Sequence, residues 1–301
     1  MARKTVPFKI APPPWTCKCT AYVLPFFYSA SSGLPADVAY APLEAATSCF
    51  SSQAEAGAYK GGLCLLQIIR YTETPVGPYD ELALLPGDFG TPGLKGQNMR
   101  ITRIYVSQKD TCYNGRKNWN IPKFSISFRH LARFDFSPLP SPSSSRSKHA
   151  PPPLKISVFA PESNAPHSAR PFFTTTLQPV NYLPSWYSFP FKSTWAELFG
   201  FSSHIAQPPL PAGETKEECG SEVWIRSKPE LSSNKTRVVW WDMRQEGIDE
   251  PAEGPGEAGK VPEIADNWWP GLGRWRIGLW LDDAVLTLGE AEQMKVEKKT
   301  A

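Results

Sequence analysis

The sequence contains the stretch TPVGPYDEL at residues 74–82 and, further along the chain, the stretch RKNWNIPK at residues 116–123. In the first, glycine and proline form a stiff turn that delivers Asp80 and Glu81 to the start of an apolar run. In the second, Lys123 follows a proline in an aromatic, apolar setting. An amine that is kept neutral close to a carboxylate is what imine (Schiff-base) chemistry on a carbonyl compound requires. The two stretches therefore predict where such chemistry would occur.

The composition around these stretches favours strands. The chain has 32 prolines among 301 residues, about twice the average usage, and proline disfavours long helices. Short helices are predicted at 42–58, which is rich in alanine, and at 193–199, with Ser193 as its cap. Aromatic, β-branched or continuous apolar runs predict strands at 15–28, 62–71, 81–85, 100–106, 155–159, 237–241 and 275–281. The fold class expected is mainly β with minor α, an antiparallel barrel or sandwich.

Two segments have the composition of loops. Residues 137–153 are rich in proline and serine, and residues 246–263 are acidic and rich in glycine and proline; neither can bury a core. The first could be a linker between two domains. We predict instead a single domain over residues 1–301 with both segments on its surface, because neither flank of 137–153 has a complete sheet pattern alone.

Composition also argues against several classes of protein. A net charge of +3 is too small to indicate a nucleic-acid partner. No window of 18 apolar residues predicts a membrane span, and residues 1–10 lack the apolar run of a secretory signal. The six cysteines lack the spacing of a metal site, and no dinucleotide or phosphate-loop motif occurs. We therefore expect a cytoplasmic protein without metal or cofactor, and we leave a homo-oligomer open.

Lys123 is the candidate nucleophile. A lysine with its ordinary pKa, about 10.4, is protonated at neutral pH and cannot attack a carbonyl. Burial and a neighbouring cation lower that pKa, so if Lys123 is the nucleophile we expect a lowered pKa with a cation near the amine, and otherwise a weak or absent decarboxylase. The neighbouring cation would come from Arg116, Lys117, Arg70 or Arg103. If residues 116–123 form a strand, at most one of Arg116 and Lys117 faces the same side as Lys123. The alternative is an exposed lysine at the end of a strand.

Glu81 is the second candidate, as the group that positions a substrate or a water molecule. The alternative is that Asp80 stabilises the turn while Glu81 faces solvent. Substrate-binding side chains are expected among Arg70, Arg103, Arg116, Tyr79 and Trp119. An arginine within an apolar strand can bind a substrate carboxylate through its planar fork, although it usually pairs with a protein carboxylate or extends to solvent.

The turn followed by Tyr79 and Glu81, together with Trp119-Asn120-Ile121-Pro122-Lys123, resembles motifs of the acetoacetate decarboxylase superfamily, especially its fungal branch. The resemblance covers about residues 12–135 and 155–285. It implies a barrel-like, largely β domain that encloses a small-molecule cavity, with Lys123 forming an imine and Glu81 lining the pocket. The activity it implies is decarboxylation of a β-keto acid or polycarbonyl metabolite, by analogy within fungal secondary metabolism.

One departure from this family pattern leaves a rival interpretation open. In the decarboxylases a second lysine directly follows the nucleophile and supplies the perturbing charge, whereas this chain has Phe124 there. The same imine could also serve an aldolase, a cyclase or a dehydratase. The rival is a non-catalytic barrel of the same fold that binds a small molecule.

Overall fold

The computed structural model describes residues 8–35, 39–52, 56–92, 96–124, 131–140, 151–159, 171–180, 188–245 and 275–294. The predicted loop at 246–263 lies outside these residues, as do residues 141–150 of the predicted loop at 137–153.

The described part of the chain is mainly β. Its α-helices are α1 (Pro42–Ala45), α2 (Ser48–Ser51) and α3 (Lys109–Trp119), and 3₁₀ helices occur at Ala30–Ser32 and Ser193–Phe199. Its strands are β1 (Trp15–Ser29), β2 (Tyr59–Glu73), β3 (Tyr79–Leu85), β4 (Asp88–Gly90), β5 (Gln97–Met99), β6 (Arg103–Val106), β7 (Lys123–Phe124), β8 (Arg133–Pro138), β9 (Leu154–Phe159), β10 (Phe173–Pro179), β11 (Phe189–Lys192), β12 (Ile205–Gln207), β13 (Trp224–Ser227), β14 (Glu230–Asp242), β15 (Trp275–Leu288) and β16 (Glu292–Met294). Within the described residues, no helix has the length and apolar character needed to cross a membrane.

The strand predictions are confirmed in place, with longer bounds in most cases. β1, β2, β3, β9, β14 and β15 contain the predicted runs, while the run at 100–106 begins its strand only at Arg103. The helix predictions were less accurate. The alanine-rich segment forms two four-residue helices, and Lys192 rather than Ser193 occupies the cap position of the 3₁₀ helix. The Ser193 hydroxyl instead accepts a hydrogen bond from the Leu231 amide.

Helix α3 is the element that the sequence interpretation missed. Arg116 and Lys117 lie in its last turn, not on a strand. The helix ends at Asn120, whose backbone is left-handed with φ 50° and whose N–H donates to the Arg116 carbonyl. An asparagine in this conformation is a common helix terminus, and cations near it interact favourably with the helix dipole. These local features account for where the helix ends.

Across the described residues the sheet is mixed and does not close. Most of its strand pairs are antiparallel, as predicted, while the barrel and its cavity stay predictions. Its strand order is β16-β13-β12-β5-β4-β2-β1-β15-β14-β10-β9-β8, with β3, β6, β7 and β11 attached at its side. The pairs β5/β12 and β6/β7 are parallel. The second arises because α3 crosses over between β6 and β7, which is how parallel neighbours are connected. Across the described residues, the end strands β16 and β8 do not pair with each other.

The middle of strand β1, from Ala21 to Leu24, is buried on both faces. It pairs with β2 on one side and with β15 on the other, so that Ala21 lies opposite both Ile69 and Leu281. Because side chains alternate along a strand, Cys17 and Cys19 pack into one core and Leu24 packs into a second core on the other face. The first core is the one that borders the candidate site.

The single-domain prediction can be tested by cutting the chain between Pro138 and Leu154. We expect the cut protein to remain one folded unit, because β9 pairs with both β8 and β10, and β10 connects through β14 and β15 to β1. Limited proteolysis followed by size-exclusion chromatography and thermal unfolding measures this. Two fragments that separate and unfold independently would show two domains.

Candidate active site

The position of Glu81 follows from the strands on either side of it. In β3, Glu81 lies opposite Ile69 of β2 and opposite Val106 of β6. Tyr79 is two residues earlier and therefore faces the same side of the sheet. The predicted strands at 62–71 and 81–85 are thus direct neighbours in the sheet.

Lys123 reaches this side of the sheet from β7. Strand β7 pairs with β6 in parallel, with Lys123 opposite Ile104, and the lysine is 4 % exposed. Its Nζ atom lies 2.8 Å from Glu81 Oε2, 2.8 Å from Thr111 Oγ1 and 3.3 Å from the Tyr79 hydroxyl. The two stretches singled out in the sequence thus meet in a direct ion pair. Thr111 of α3 was not predicted, because its helix was not.

Tyr71 of β2 supplies a second contact to the carboxylate. Its hydroxyl donates to Glu81 Oε1 over 3.4 Å, and its ring lies 4.4 Å from that of Tyr79 between centroids. Both oxygens of Glu81 are therefore engaged. Strand alternation could have identified Tyr71, since it pairs directly with Tyr79 across β2 and β3.

The pKa of Lys123 is shifted in the direction opposite to the predicted one. Burial alone lowers the pKa of the ammonium, but the Glu81 carboxylate and the Tyr79 hydroxyl stabilise the charged form, and the net pKa lies above its ordinary value. Hydrogen bonds to a charged group and an adjacent opposite charge both favour ionisation. The raised pKa favours the protonated amine at rest, which is the opposite of the shift expected of a lysine that is a nucleophile without further assistance.

Cys17 and Cys19 of β1 lie beside the pair formed by Lys123 and Glu81. Both side chains are free thiols, and both are buried on the same face of the strand. Burial raises the pKa of the Cys17 thiol to about 11, although the positive charge of Lys123 acts in the opposite direction. The wall next to the amine is thus uncharged and protonated at neutral pH.

Arg116, the first of the predicted perturbing cations, contacts the backbone of Lys123 rather than its amine. Its Nη1 donates to the Lys123 carbonyl over 3.3 Å and to Glu44 Oε1 over 2.7 Å. Its other donors bind the carbonyls of Cys219 and Pro211. Burial raises the pKa of Glu44, and Arg116 partly opposes that rise. The guanidinium is committed to contacts within the protein, and its predicted role as a substrate ligand stays a prediction.

Arg70 and Arg103 face away from the amine. Arg70 lies 3.9 Å from Asp80 and over the Phe136 ring, with its side chain 55 % exposed. Arg103 lies over the ring of Tyr105, and Tyr105 belongs to the second core. Both arginines occupy strand positions that alternate with the residues facing Lys123. Their substrate-binding role stays a prediction.

Trp119 ends α3 in the first core, not at the amine. Its indole donates to the Gly289 carbonyl, and its ring makes an edge contact with Trp15 at 5.2 Å. Tyr79 and Glu81 are therefore the predicted site residues, besides Lys123, that the structure brings together at the amine.

The described residues contain no group of three or more His, Cys, Asp or Glu side chains arranged to hold a metal ion. The polar groups at the candidate site are amine, carboxylate and hydroxyl groups, which suit acid–base and imine chemistry.

Comparison with known proteins gives a likeness of fold. No family model and no curated protein match the sequence. The structure resembles acetoacetate decarboxylase from Legionella pneumophila subsp. pneumophila str. Philadelphia 1, with TM-score 0.52 and 8 % identity over 99 % of this chain and 93 % of that one. It also resembles the enduracididine biosynthesis enzyme MppR, complexed with the condensation product of pyruvate and imidazole 4-carboxaldehyde, with TM-score 0.47 and 12 % identity over 96 % and 92 %. An acetoacetate decarboxylase-like enzyme from Sphingomonas wittichii RW1 gives TM-score 0.47 and 12 % identity over 96 % and 95 %.

Of these three likenesses, the first has a TM-score above 0.5. At 8 % identity it shows the fold alone. The chain therefore has a fold of the acetoacetate decarboxylase type, and its described strands form a mixed sheet that does not close.

The influence of Glu81 on Lys123 can be measured directly. We expect Glu81→Gln to lower the pKa of Lys123, because the carboxylate that raises it is lost and the opposing effect of burial remains. NMR titration of protein labelled with ¹⁵N at the lysine Nζ atoms reports the midpoint. Lys123→Met identifies the signal. An unchanged or higher midpoint would contradict the ion pair.

Arg116 should matter for stability. Because Arg116 and Glu44 are both completely buried, we expect Arg116→Met to leave an uncompensated carboxylate and to lower the free energy of unfolding by about 3–5 kcal/mol. The neighbouring, exposed Lys117 provides the control, and Lys117→Met should change that free energy by less than about 0.5 kcal/mol. Denaturant unfolding measures both. Equal effects of the two changes would contradict the structural role of Arg116.

Proposed function

We propose that this protein is an imine-forming enzyme, a lyase related in chemistry to acetoacetate decarboxylase, with Lys123 as its nucleophile and a β-keto acid or polycarbonyl compound as its substrate. The observation that carries the proposal is the buried contact of 2.8 Å between Lys123 Nζ and Glu81 Oε2, in a fold shared with an acetoacetate decarboxylase. It requires no cofactor, because the amine itself performs the covalent step.

Because its pKa is raised, Lys123 is protonated at rest and must lose a proton before it can act as a nucleophile; the Glu81 carboxylate can accept that proton. Transfer of one proton from Nζ to Oε2 over the existing hydrogen bond converts a charged pair into a neutral amine and a neutral acid. In a buried site this transfer removes two charges from a low-dielectric environment, which lowers its cost. The amine becomes nucleophilic without losing a proton to solvent, and the proton stays next to the reacting atoms.

The amine then attacks the substrate carbonyl. A bond forms between Nζ and the carbonyl carbon as the carbonyl π bond breaks, and the oxygen takes the proton held by Glu81. The nitrogen then gives one of its two protons to the Glu81 carboxylate, which leaves a neutral carbinolamine. Glu81 passes this second proton to the hydroxyl, which departs as water and leaves a protonated imine. Tyr79 and Thr111, already hydrogen-bonded to Nζ, are placed to hold the nitrogen through these changes.

The protonated imine is an electron sink. With a β-keto acid, the bond to the carboxylate carbon breaks, its electron pair moves toward the imine nitrogen and carbon dioxide leaves. A proton then replaces the carboxylate, and water releases the product from Lys123. With a polycarbonyl compound, the same electron pair can form or break a carbon–carbon bond, as in an aldolase or cyclase, or expel water, as in a dehydratase. Fungal origin and a place in secondary metabolism stay predictions.

Borohydride trapping tests the nucleophile. We expect incubation with β-keto acids or 1,3-diketones followed by borohydride to attach a reduced adduct to Lys123, and Lys123→Met to abolish it. Lys117→Met is the matched control, since Lys117 is an exposed lysine of the same stretch and should retain full labelling. Mass mapping of peptides locates the adduct. An adduct on any other lysine would show that Lys123 is not the nucleophile.

The second candidate function is a non-catalytic small-molecule-binding protein of the same fold. One observation favours it: the Lys123 ammonium donates hydrogen bonds to three acceptors, which stabilise its charged, non-nucleophilic form. Saturable binding of these compounds without any adduct, from about pH 6 to about pH 10, would establish it in place of the enzyme.

A further inference from the structure

Helix α3 holds Lys123 along its whole length. Residues separated by four positions lie on one face of a helix, and Thr111 with Gly115, and Cys112 with Arg116, have this spacing. Thr111 accepts a hydrogen bond from Nζ. Cys112 and Arg116 both donate to the backbone carbonyl of Lys123, over 3.1 Å and 3.3 Å. The two ends of the lysine are therefore fixed by the same helix.

Gly115 faces the methylene chain between these two ends. A Cβ atom at this position would lie 2.7 Å from Cδ, 2.9 Å from Cε and 3.3 Å from Cγ of Lys123. Separations below 3 Å force one group to move. The backbone does not require glycine here, since Gly115 lies inside the helix without a positive φ. Alanine is intrinsically the better helix former, so helix stability does not explain a glycine at this position, whereas the space needed by the Lys123 side chain does.

We propose that Gly115 is a positioning residue for Lys123. Because residue 115 has no side chain, the lysine chain can pass close to the helix and reach Glu81. The inference rests on the proposed function for its catalytic meaning. The Lys123 backbone cannot retreat, because Cys112 and Arg116 hold its carbonyl and β7 pairs with β6. A methyl group at residue 115 must therefore redirect the flexible end of the lysine, moving Nζ away from Glu81 and Thr111.

Glu81 and Tyr79 on β3 raise the pKa of Lys123, and an amine displaced from them should titrate at a different pH. Cys17 on β1 and Cys112 on α3 lie close enough to interact with its charge. The remaining titratable or charged groups nearby act indirectly: Tyr71 on β2 and Cys19 on β1 interact with Glu81, and Arg116 on α3 binds the Lys123 backbone carbonyl.

The first test compares Gly115→Ala with Gly289→Ala. Gly289 has no heavy atom within 4 Å of a Cβ at its position and no positive φ, so the same chemical change there should be silent. We expect Gly115→Ala to slow formation of the borohydride-trapped adduct about 100-fold, because a displacement of a reacting group by about 1 Å can cost that much. Gly289→Ala should match the wild type. A wild-type rate in Gly115→Ala would overturn the inference.

The second test does not depend on activity. We expect the NMR titration midpoint of the Lys123 ammonium to fall in Gly115→Ala and to stay unchanged in Gly289→Ala, because the displaced amine loses the carboxylate that raises its pKa. If wild-type protein forms no adduct, the proposed function fails while this titration still decides the role of Gly115. A wild-type midpoint overturns the inference. Loss of folding in Gly115→Ala also overturns it, because the lysine chain, not the helix, is expected to yield.

Discussion

The elements around the candidate site are arranged to compensate for one costly feature, an ammonium and a carboxylate that are both removed from water. Burying such ions costs several kcal/mol each, and their attraction offsets this only when further hydrogen bonds satisfy the remaining donors and acceptors. Here Thr111 and Tyr79 accept from the Lys123 amine, and Tyr71 donates to Glu81. The pair thereby fixes strands β2, β3 and β7 and helix α3 relative to one another.

The same pair determines what chemistry is available. An isolated buried lysine would lose its proton through desolvation, whereas Lys123 keeps its proton because Glu81 lies beside it. In the proposed mechanism this proton is the first of the two that convert the carbonyl oxygen into water. The pair therefore places the proton donor and the nucleophile side by side. In the proposed arrangement, the absence of a side chain at Gly115 leaves the space through which Lys123 reaches Glu81.

The sequence was sufficient to locate the two halves of the pair but not their environment. Glycine and proline before Tyr79 and Glu81 indicated a turn leading into a strand, and alternation then placed both residues on one face. The environment of Lys123 depended on α3, whose sequence has low hydrophobicity and no capping side chain at Gln108. Tertiary contacts of Arg116 with Glu44, distant in the chain, stabilise that helix, and such contacts leave no local pattern. For the same reason the direction of the Lys123 pKa shift could not be foreseen.

The central claim is that the buried amine of Lys123 is a nucleophile assisted by Glu81. The most direct measurement is a crystal structure of the protein after borohydride reduction in the presence of a trapped keto acid or diketone. We expect continuous density from Lys123 Nζ to the former carbonyl carbon, with the Glu81 carboxylate within hydrogen-bonding distance, about 3 Å, of that nitrogen. An unmodified Lys123 still paired with Glu81, with the compound bound elsewhere or attached to another lysine, would contradict it.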